Sequence, residues 1–457
     1  MDETKTPSLN RRGFLTKSAL AAGAAAGAGS LLHPGDGERA EAANSRDITN
    51  LTVMYGVGEI SKPEIKEFER LNPSIKVKQL EYNAVRLAAM TAAGAPPDFV
   101  RTQGAPEMPN VIARGLATNL DHYFATSQVL KPESLLPIND VYRWDGKAEG
   151  QGPRYGAVKD WSQDNMFWIN KRVFDRAGVK YPSETEPISY DELLTIAKKL
   201  TVRKSGKIQV YGLDVAWGAW MQGRFMQMLA EKGLSLWNAD YTEANFTSPE
   251  MLKVLKWHVD WAQAHVGPSP LEAEPQWGGN LFLADRLGIM MYGYWYQGYI
   301  TNVGTNKAPV KPYQLCPSPQ WGSKRISGCY AGVGAYIPSG AKNKEAAWKF
   351  MEYFAAQKPA FDRATSGWGI PGGKQFLPKM PQATSFQRDV YKTEQHELPY
   401  VQILHFGPYV SNNAMENAIQ TYMLPVMKGQ QTLNEGARTL QNAVSKLIRL
   451  GKQQVGA

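Results

Sequence analysis

Cysteine is nearly absent: Cys316 and Cys329 are the only two in 457 residues. Two thiols cannot hold an all-cysteine iron–sulfur cluster. An oxidising compartment would permit a disulfide between them, but two buried thiols are the expected state. Histidine is also scarce, at six positions. His258 and His265 have no third ligand at metal spacing, so no metal site is expected, and no cofactor either. No stretch beyond the N-terminal segment approaches the roughly 18 consecutive apolar residues of a membrane-spanning helix. The net charge is +9, yet lysine and arginine never form a long run. Nucleic acid is therefore not an expected partner. There is no Gly-x-Ser-x-Gly elbow. Gly278-Gly279 is not followed by Gly-Lys-Ser/Thr, which excludes a phosphate loop there.

What is present is an ordinary globular composition, 43% hydrophobic and 20% charged. Disorder would need the opposite balance. The length allows two domains or a few. The N-terminus reads Asn10-Arg11-Arg12-Gly13-Phe14-Leu15, then an Ala- and Gly-rich run from Ser18 to Leu32, then Ala40-Glu41-Ala42. This order resembles a twin-arginine signal peptide over 1–42, cleaved near Ala42. No cysteine lies near that point to carry a lipid anchor. The signal holds five basic and five acidic residues, so the mature chain keeps the whole +9. A periplasmic or extracellular location is expected.

Alternating helix and strand signals follow. Leu51–Tyr55 reads as a buried strand, and Ser61 caps a helix with Pro63 in its first turn and Ile65, Phe68 and Leu71 on one face. Ile75–Lys78 is a second strand, Arg86–Ala93 a small-residue helix, and Asp98-Phe99-Val100 the start of a third strand. This β-α-β-α-β order predicts an α/β chain with a largely parallel sheet. Further on, Ser189 with Glu192 and Thr432 with Glu435 form capping boxes. Ser248-Pro249-Glu250 opens a helix, and Gly288–Met291 is a buried strand. Trp257 and Trp261, at i and i+4 on that helix, are expected to pack.

Several segments carry a family likeness. They are Phe68–Val77, Gly94-Ala95-Pro96-Pro97-Asp98-Phe99-Val100, Gly115–Leu120, Tyr155–Val158, Ile169–Phe174 with Ala177-Gly178, Gly293-Tyr294-Trp295, Ala341–Phe350 and Gly369-Ile370-Pro371. In this order the chain resembles the extracellular solute-binding proteins (family 1, sugar-binding type) of ABC importers. One departure is Ile169, where the family usually has Tyr; the position is expected to pack in a sheet. The resemblance implies a type II periplasmic-binding-protein-like fold, with a ligand cleft between two lobes. Lobe one would be 47–162 and 333–365, and lobe two 163–332 and 366–457. It implies capture of a sugar or oligosaccharide for the permease subunits of an ABC transporter, by a monomer without enzymatic activity.

In open α/β sheets ligands meet the chain beyond the carboxyl ends of strands. Glu59 in Gly56-Val57-Gly58-Glu59 and the loop Arg101-Thr102-Gln103 hold such positions. Their ordinary readings are a solvated acid at a helix entry and a surface loop. Lys159–Asn165 brings Trp161 together with Gln163 and Asp164, an aromatic plate beside the polar groups that sugar hydroxyls need. The resemblance adds Trp217 and Trp220, one of which could instead pack on a helix starting near Met221. It also adds Trp295 as a stacking platform. Trp368 is a further candidate, and Asn412 and Asn413 are weaker ones. Two alternatives stay open. An exported carbohydrate-active enzyme would need paired carboxylates, for which Asp160 and Asp164 are the clustered acids. A binder of small anions would need a basic cleft residue, for which Arg101 is the obvious one.

Overall fold

The computed structural model describes residues 48–302, 312–329 and 331–455. The expected export signal over 1–42 lies outside the described residues. The described residues build two large sheets and two small two-stranded ones, Ser327–Cys329 with Val401–Ile403 and Arg143–Trp144 with Glu149–Arg154. In the first large sheet, Thr49–Met54 pairs in parallel with Ile75–Leu80 and with Phe99–Thr102. Ala331–Tyr336 then joins antiparallel between Phe99–Thr102 and Gly156–Ser162, and Ile370–Pro371 pairs antiparallel on the far side of Gly156–Ser162. The second sheet runs Tyr313–Cys316, Phe167–Asn170, Leu287–Met290, Lys207–Asp214, Val202–Lys204. Its central pair, Leu287–Met290 with Lys207–Asp214, is parallel. The expected β-α-β-α-β start is thus the parallel half of the first sheet.

Local chemistry fixes the helices. Ser61 and Glu64 close a full capping box on Lys62–Leu71. Glu64 is buried by that bond, whereas Leu71, expected on the inner face, is 48% exposed. Asn83 caps Ala84–Ala92, two residues earlier than the small-residue pattern suggested. Thr432 and Glu435 exchange both bonds of their box, and Ser189 accepts from the Glu192 amide at 3.0 Å. Pro249–Gln263 is capped by Ser248. On it, Trp257 and Trp261 pack as expected, their indoles donating to the carbonyls of Tyr190 and Leu213.

Phe68, Phe99, Phe350 and Phe354 interlock edge to face beneath the first sheet. Such pairs add roughly 0.5–1.5 kcal/mol each beyond burial. Ile169 is fully buried in its strand. Both cysteines are buried and free. Among the described residues no helix is long and apolar enough to cross a membrane. The chain passes from the first large sheet to the second after Ser162 and returns after Cys316; beyond Pro371 the only strand among the described residues, Val401–Ile403, pairs with Ser327–Cys329.

Candidate ligand-binding cleft

A cavity of about 770 Å³ opens where the carboxyl ends of both sheets' strands converge. Each element delivers its residues for the same reason: a strand ends, and the chain must leave the sheet. Glu59 follows Thr49–Met54, and Arg101 and Gln103 end Phe99–Thr102. Lys159 to Ser162 end Gly156–Ser162, with Asp164 in the loop beyond. Trp220 lies beyond Lys207–Asp214 and Trp295 beyond Leu287–Met290. The last helix to contribute, Lys358–Ser366, brings Asp362 and Arg363, and Trp368 stands just past its Gly367 C-cap.

Seven of the ten candidates therefore line one cavity: Glu59, Gln103, Trp161, Asp164, Trp220, Trp295 and Trp368. The other three lie elsewhere. Side chains alternate along a strand, so Thr102 turns away from the face that Arg101 and Gln103 share. It is buried, and its Oγ1 accepts from the Gly104 amide. Gln163 is fully buried and donates to Glu394 at 2.6 Å. Trp217 stacks on Trp261 at 6.1 Å and tilts on His258, whereas Trp220 reaches the cavity. Asn412 and Asn413 open the helix Asn412–Met427 and are not in the lining.

The aromatic floor is ordered. Trp295 lies nearly parallel to Trp368, at 13° and 6.3 Å between centroids, and to Trp277, at 12° and 6.5 Å. Gly298 permits this approach, since a Cβ there would stand 2.6 Å from Trp368 Cγ. Trp161 is buried, its indole donating to Pro371, and gives the cavity less surface.

Both arginines in the wall face carboxylates. Arg101 donates through Nε and Nη2 to the two oxygens of Glu59, at 2.6 and 2.9 Å. Burial would raise the Glu59 carboxyl, but the Arg101 bonds and charge outweigh it and hold the group below its ordinary value. Arg363 Nε stands 3.1 Å from Asp160 Oδ2. No N–H points at that oxygen, which accepts no hydrogen bond from the protein. Burial raises the Asp160 carboxyl against the Arg363 charge. Lys159 donates to the Glu59 carbonyl at 2.8 Å and lies 4.8 Å over the Phe354 ring. Burial, and then the Arg363 charge, push it down to about 7. Asp164 is pushed up to about 7 by burial, which outweighs the neighbouring Trp295 indole and the charge of Arg224.

Sequence reasoning named Arg101 as the cleft cation. The structure adds Arg363 and Lys159, and engages both arginines with carboxylates. The available signal for Arg363 was its place five residues before Trp368, in the last turn of a helix ended by glycine. Glu64 and Asp362 also went unnamed; both are at helix positions whose facing depends on tertiary packing.

Two α/β lobes with a ligand-sized cavity between the carboxyl ends of their strands define a binding protein of the periplasmic-binding fold. The chain belongs to the bacterial extracellular solute-binding protein family, whose model matches residues 56–360. It is 27% identical over 176 residues to the maltotriose-binding protein of Pyrococcus abyssi (strain GE5 / Orsay). That match covers 37% of this chain and 35% of the relative, about a third of the relative's length. An ABC substrate-binding protein from Listeria monocytogenes in complex with cycloalternan superposes with a TM-score of 0.73 at 23% identity. The match covers 88% of this chain and 99% of that one. A solute-binding protein from Thermotoga lettingae bound with α-D-tagatose gives 0.71 at 23% identity, over 88% and 100% of the two chains. The likeness establishes the fold.

Proposed function

We propose that this protein captures a neutral sugar or oligosaccharide outside the cytoplasmic membrane and hands it to the permease subunits of an ABC importer. One observation carries the reading: the indoles of Trp220, Trp295 and Trp368 share a cavity with fixed carboxylates. Sugar rings present apolar C–H faces for stacking and hydroxyls for planar acceptors. Asp160 Oδ2, buried and without a hydrogen-bond donor, is one such acceptor. The relatives described as binding maltotriose, cycloalternan and tagatose support a carbohydrate ligand. An anionic ligand is disfavoured because Glu59 and Asp160 already engage the two arginines.

Glu59, Gln103, Asp160, Asp164 and the indoles are read as the ligand contacts. The lobes are read as 47–162 with 333–365 and 163–332 with 366–457. The boundary expected at 365 is moved past Pro371 in this reading, because Ile370–Pro371 pairs with Gly156–Ser162 of lobe one. The protein acts as a monomer and turns nothing over.

The test is a thermal-shift screen of the mature protein against mono-, di- and oligosaccharides, polyols and polar anions. A ligand at one hundred times its dissociation constant adds about 2.7 kcal/mol of stability. Sugars are expected to raise the melting temperature and anions to leave it unchanged; the reverse ranking would overturn the reading. With the best sugar, small-angle scattering should show a smaller radius of gyration, since a ligand shifts an equilibrium only by preferring one state. Tight binding without compaction would remove the closing motion. Chromatography should recover the sugar unaltered, one per protein; steady conversion would make the protein an enzyme.

Export is read as twin-arginine dependent, from Arg11-Arg12-Gly13-Phe14-Leu15 ahead of a weakly apolar run. Replacing both arginines with lysine should leave the precursor in the cytoplasm. Unchanged export of that variant would exclude the route.

A further inference from the structure

The row of parallel indoles does not end at the cavity wall. Trp277 lies nearly parallel to Trp295, and Trp295 to Trp368, so three indoles share one orientation. The core phenylalanines instead meet edge to face. Trp295 and Trp368 line the cavity, whereas Trp277 is outside the lining and 38% exposed.

Local chemistry holds Trp277 in this plane. It stands just before the short helix Gly278–Leu283, in extended backbone. Its ring lies over Gly279, where a Cβ would stand 2.6 Å from the indole. A side chain at 279 would therefore push the ring out of the row. The Trp277 Nε1 donates to the Tyr292 hydroxyl at 2.7 Å. Tyr296 and Tyr299 lie within 21° of each other and stand across the row. Tyr296 is at 88° to Trp295, and Tyr299 is at 86° to Trp277 and 85° to Trp368. A ring braced in this way has little orientational freedom left to lose when a ligand stacks on it. A polar partner is at hand as well. Tyr299 also donates to Asn280 Oδ1 at 3.0 Å, which orients this exposed amide one turn on from Trp277.

A single sugar ring enclosed in the cavity gains nothing from an indole outside it. A chain of sugar rings does, because each ring presents a C–H face and successive rings can lie on successive parallel indoles. We propose that Trp277 is an outer subsite of the cleft, and that the ligand is a linear oligosaccharide of at least three rings, one to each indole, which reaches from Trp368 and Trp295 out onto Trp277. This rests on reading the cavity as a sugar site, and it narrows the ligand from sugars in general to oligosaccharides.

The test is binding to an array of immobilised linear gluco-, manno-, galacto- and xylo-oligosaccharides graded in length from a single ring upward, followed by calorimetric titration with the best series. Wild-type affinity should climb with length through the third ring. Trp277→Ala should remove the last step of that climb, a gain of about tenfold for one aromatic contact. Trp277→Phe, which keeps a stacking face and loses the bond to Tyr292, should recover most of it. Trp295→Ala is the reference and should weaken binding at every length. Hydroxyl-radical footprinting of the unmutated protein needs no variant: the three-ring sugar should shield Trp277, and the single ring should leave it open. Wild-type affinity that does not grow with length overturns the proposal and leaves the sugar reading in place. So does a climb that survives Trp277→Ala, the result expected if the exposed indole serves a protein contact instead. A uniform loss at every length also overturns it, since Trp277 would then only support Trp295. Binding to no sugar of the array overturns both readings.

Discussion

Alanine at Trp295 is expected to weaken sugar binding by on the order of 2–4 kcal/mol, the range of a central aromatic anchor. In affinity that is roughly thirty-fold to several hundred-fold. The ring earns this weight by its surroundings. It leaves the sheet just past Leu287–Met290 and lines the cavity, nearly parallel to Trp368 and Trp277. It is only half-buried, against Tyr292 and Tyr296. The apo variant should therefore unfold close to the wild type. Trp168 supplies the contrast: it is completely buried, and its indole donates to the Gly293 carbonyl at 3.0 Å. Alanine there should cost about 3–5 kcal/mol of folding stability. Titration with the best sugar and urea denaturation of each apo variant separate the two roles. Full affinity in Trp295→Ala with a large loss of stability would make it a core residue.

Much of this cleft was legible because strand ends are legible. A short apolar run followed by polar or glycine residues marks where a strand stops, and in an α/β sheet that is where ligands meet the chain. This reasoning reached Glu59, Gln103, Asp164 and Trp295. It could not fix the phase of a strand. In Phe99-Val100-Arg101-Thr102-Gln103 the apolar residues occupy both faces, so the alternation that would have set Thr102 apart from its neighbours carries no phase information. It also could not choose between Trp217 and Trp220, which lie in a loop with no period. Trp217 is claimed by Trp261 and His258, contacts made by a helix some forty residues on. Gln163 was expected in the cleft, but it is buried on Glu394, which comes from a distant helix that no local pattern connects to it. Arg363 was missed for the same reason, since its function is defined by Asp160 across the fold.

Arg363 carries the second large expected effect. Replacing it with methionine should destabilise the apo protein by about 3–5 kcal/mol, the cost of leaving a buried carboxylate without its counter-charge. Arg363 and Asp160 are 12% and 9% exposed, which leaves little water to take over. The loss should depend on pH, and its sign follows from the carboxyl. Burial already raises Asp160 above its ordinary value, and removing Arg363 raises it further. The folded variant then holds a proton that the unfolded chain has released. Stability falls with rising pH wherever the folded state binds more protons. The deficit should therefore be small in acid, where Asp160 is protonated in both states, and grow as pH climbs through the raised value. Lys159 responds in the opposite sense: Arg363 helps hold it down, so its removal lets the lysine recover charge and offset part of the loss. The double variant Arg363→Met with Asp160→Asn removes both charges and should regain most of the stability. Urea denaturation of the three proteins at pH 5 and pH 8 reads all of this. A deficit equal at both pH values, or undiminished in the double variant, would mean that Arg363 supports the fold through its packing on Trp368 rather than through Asp160.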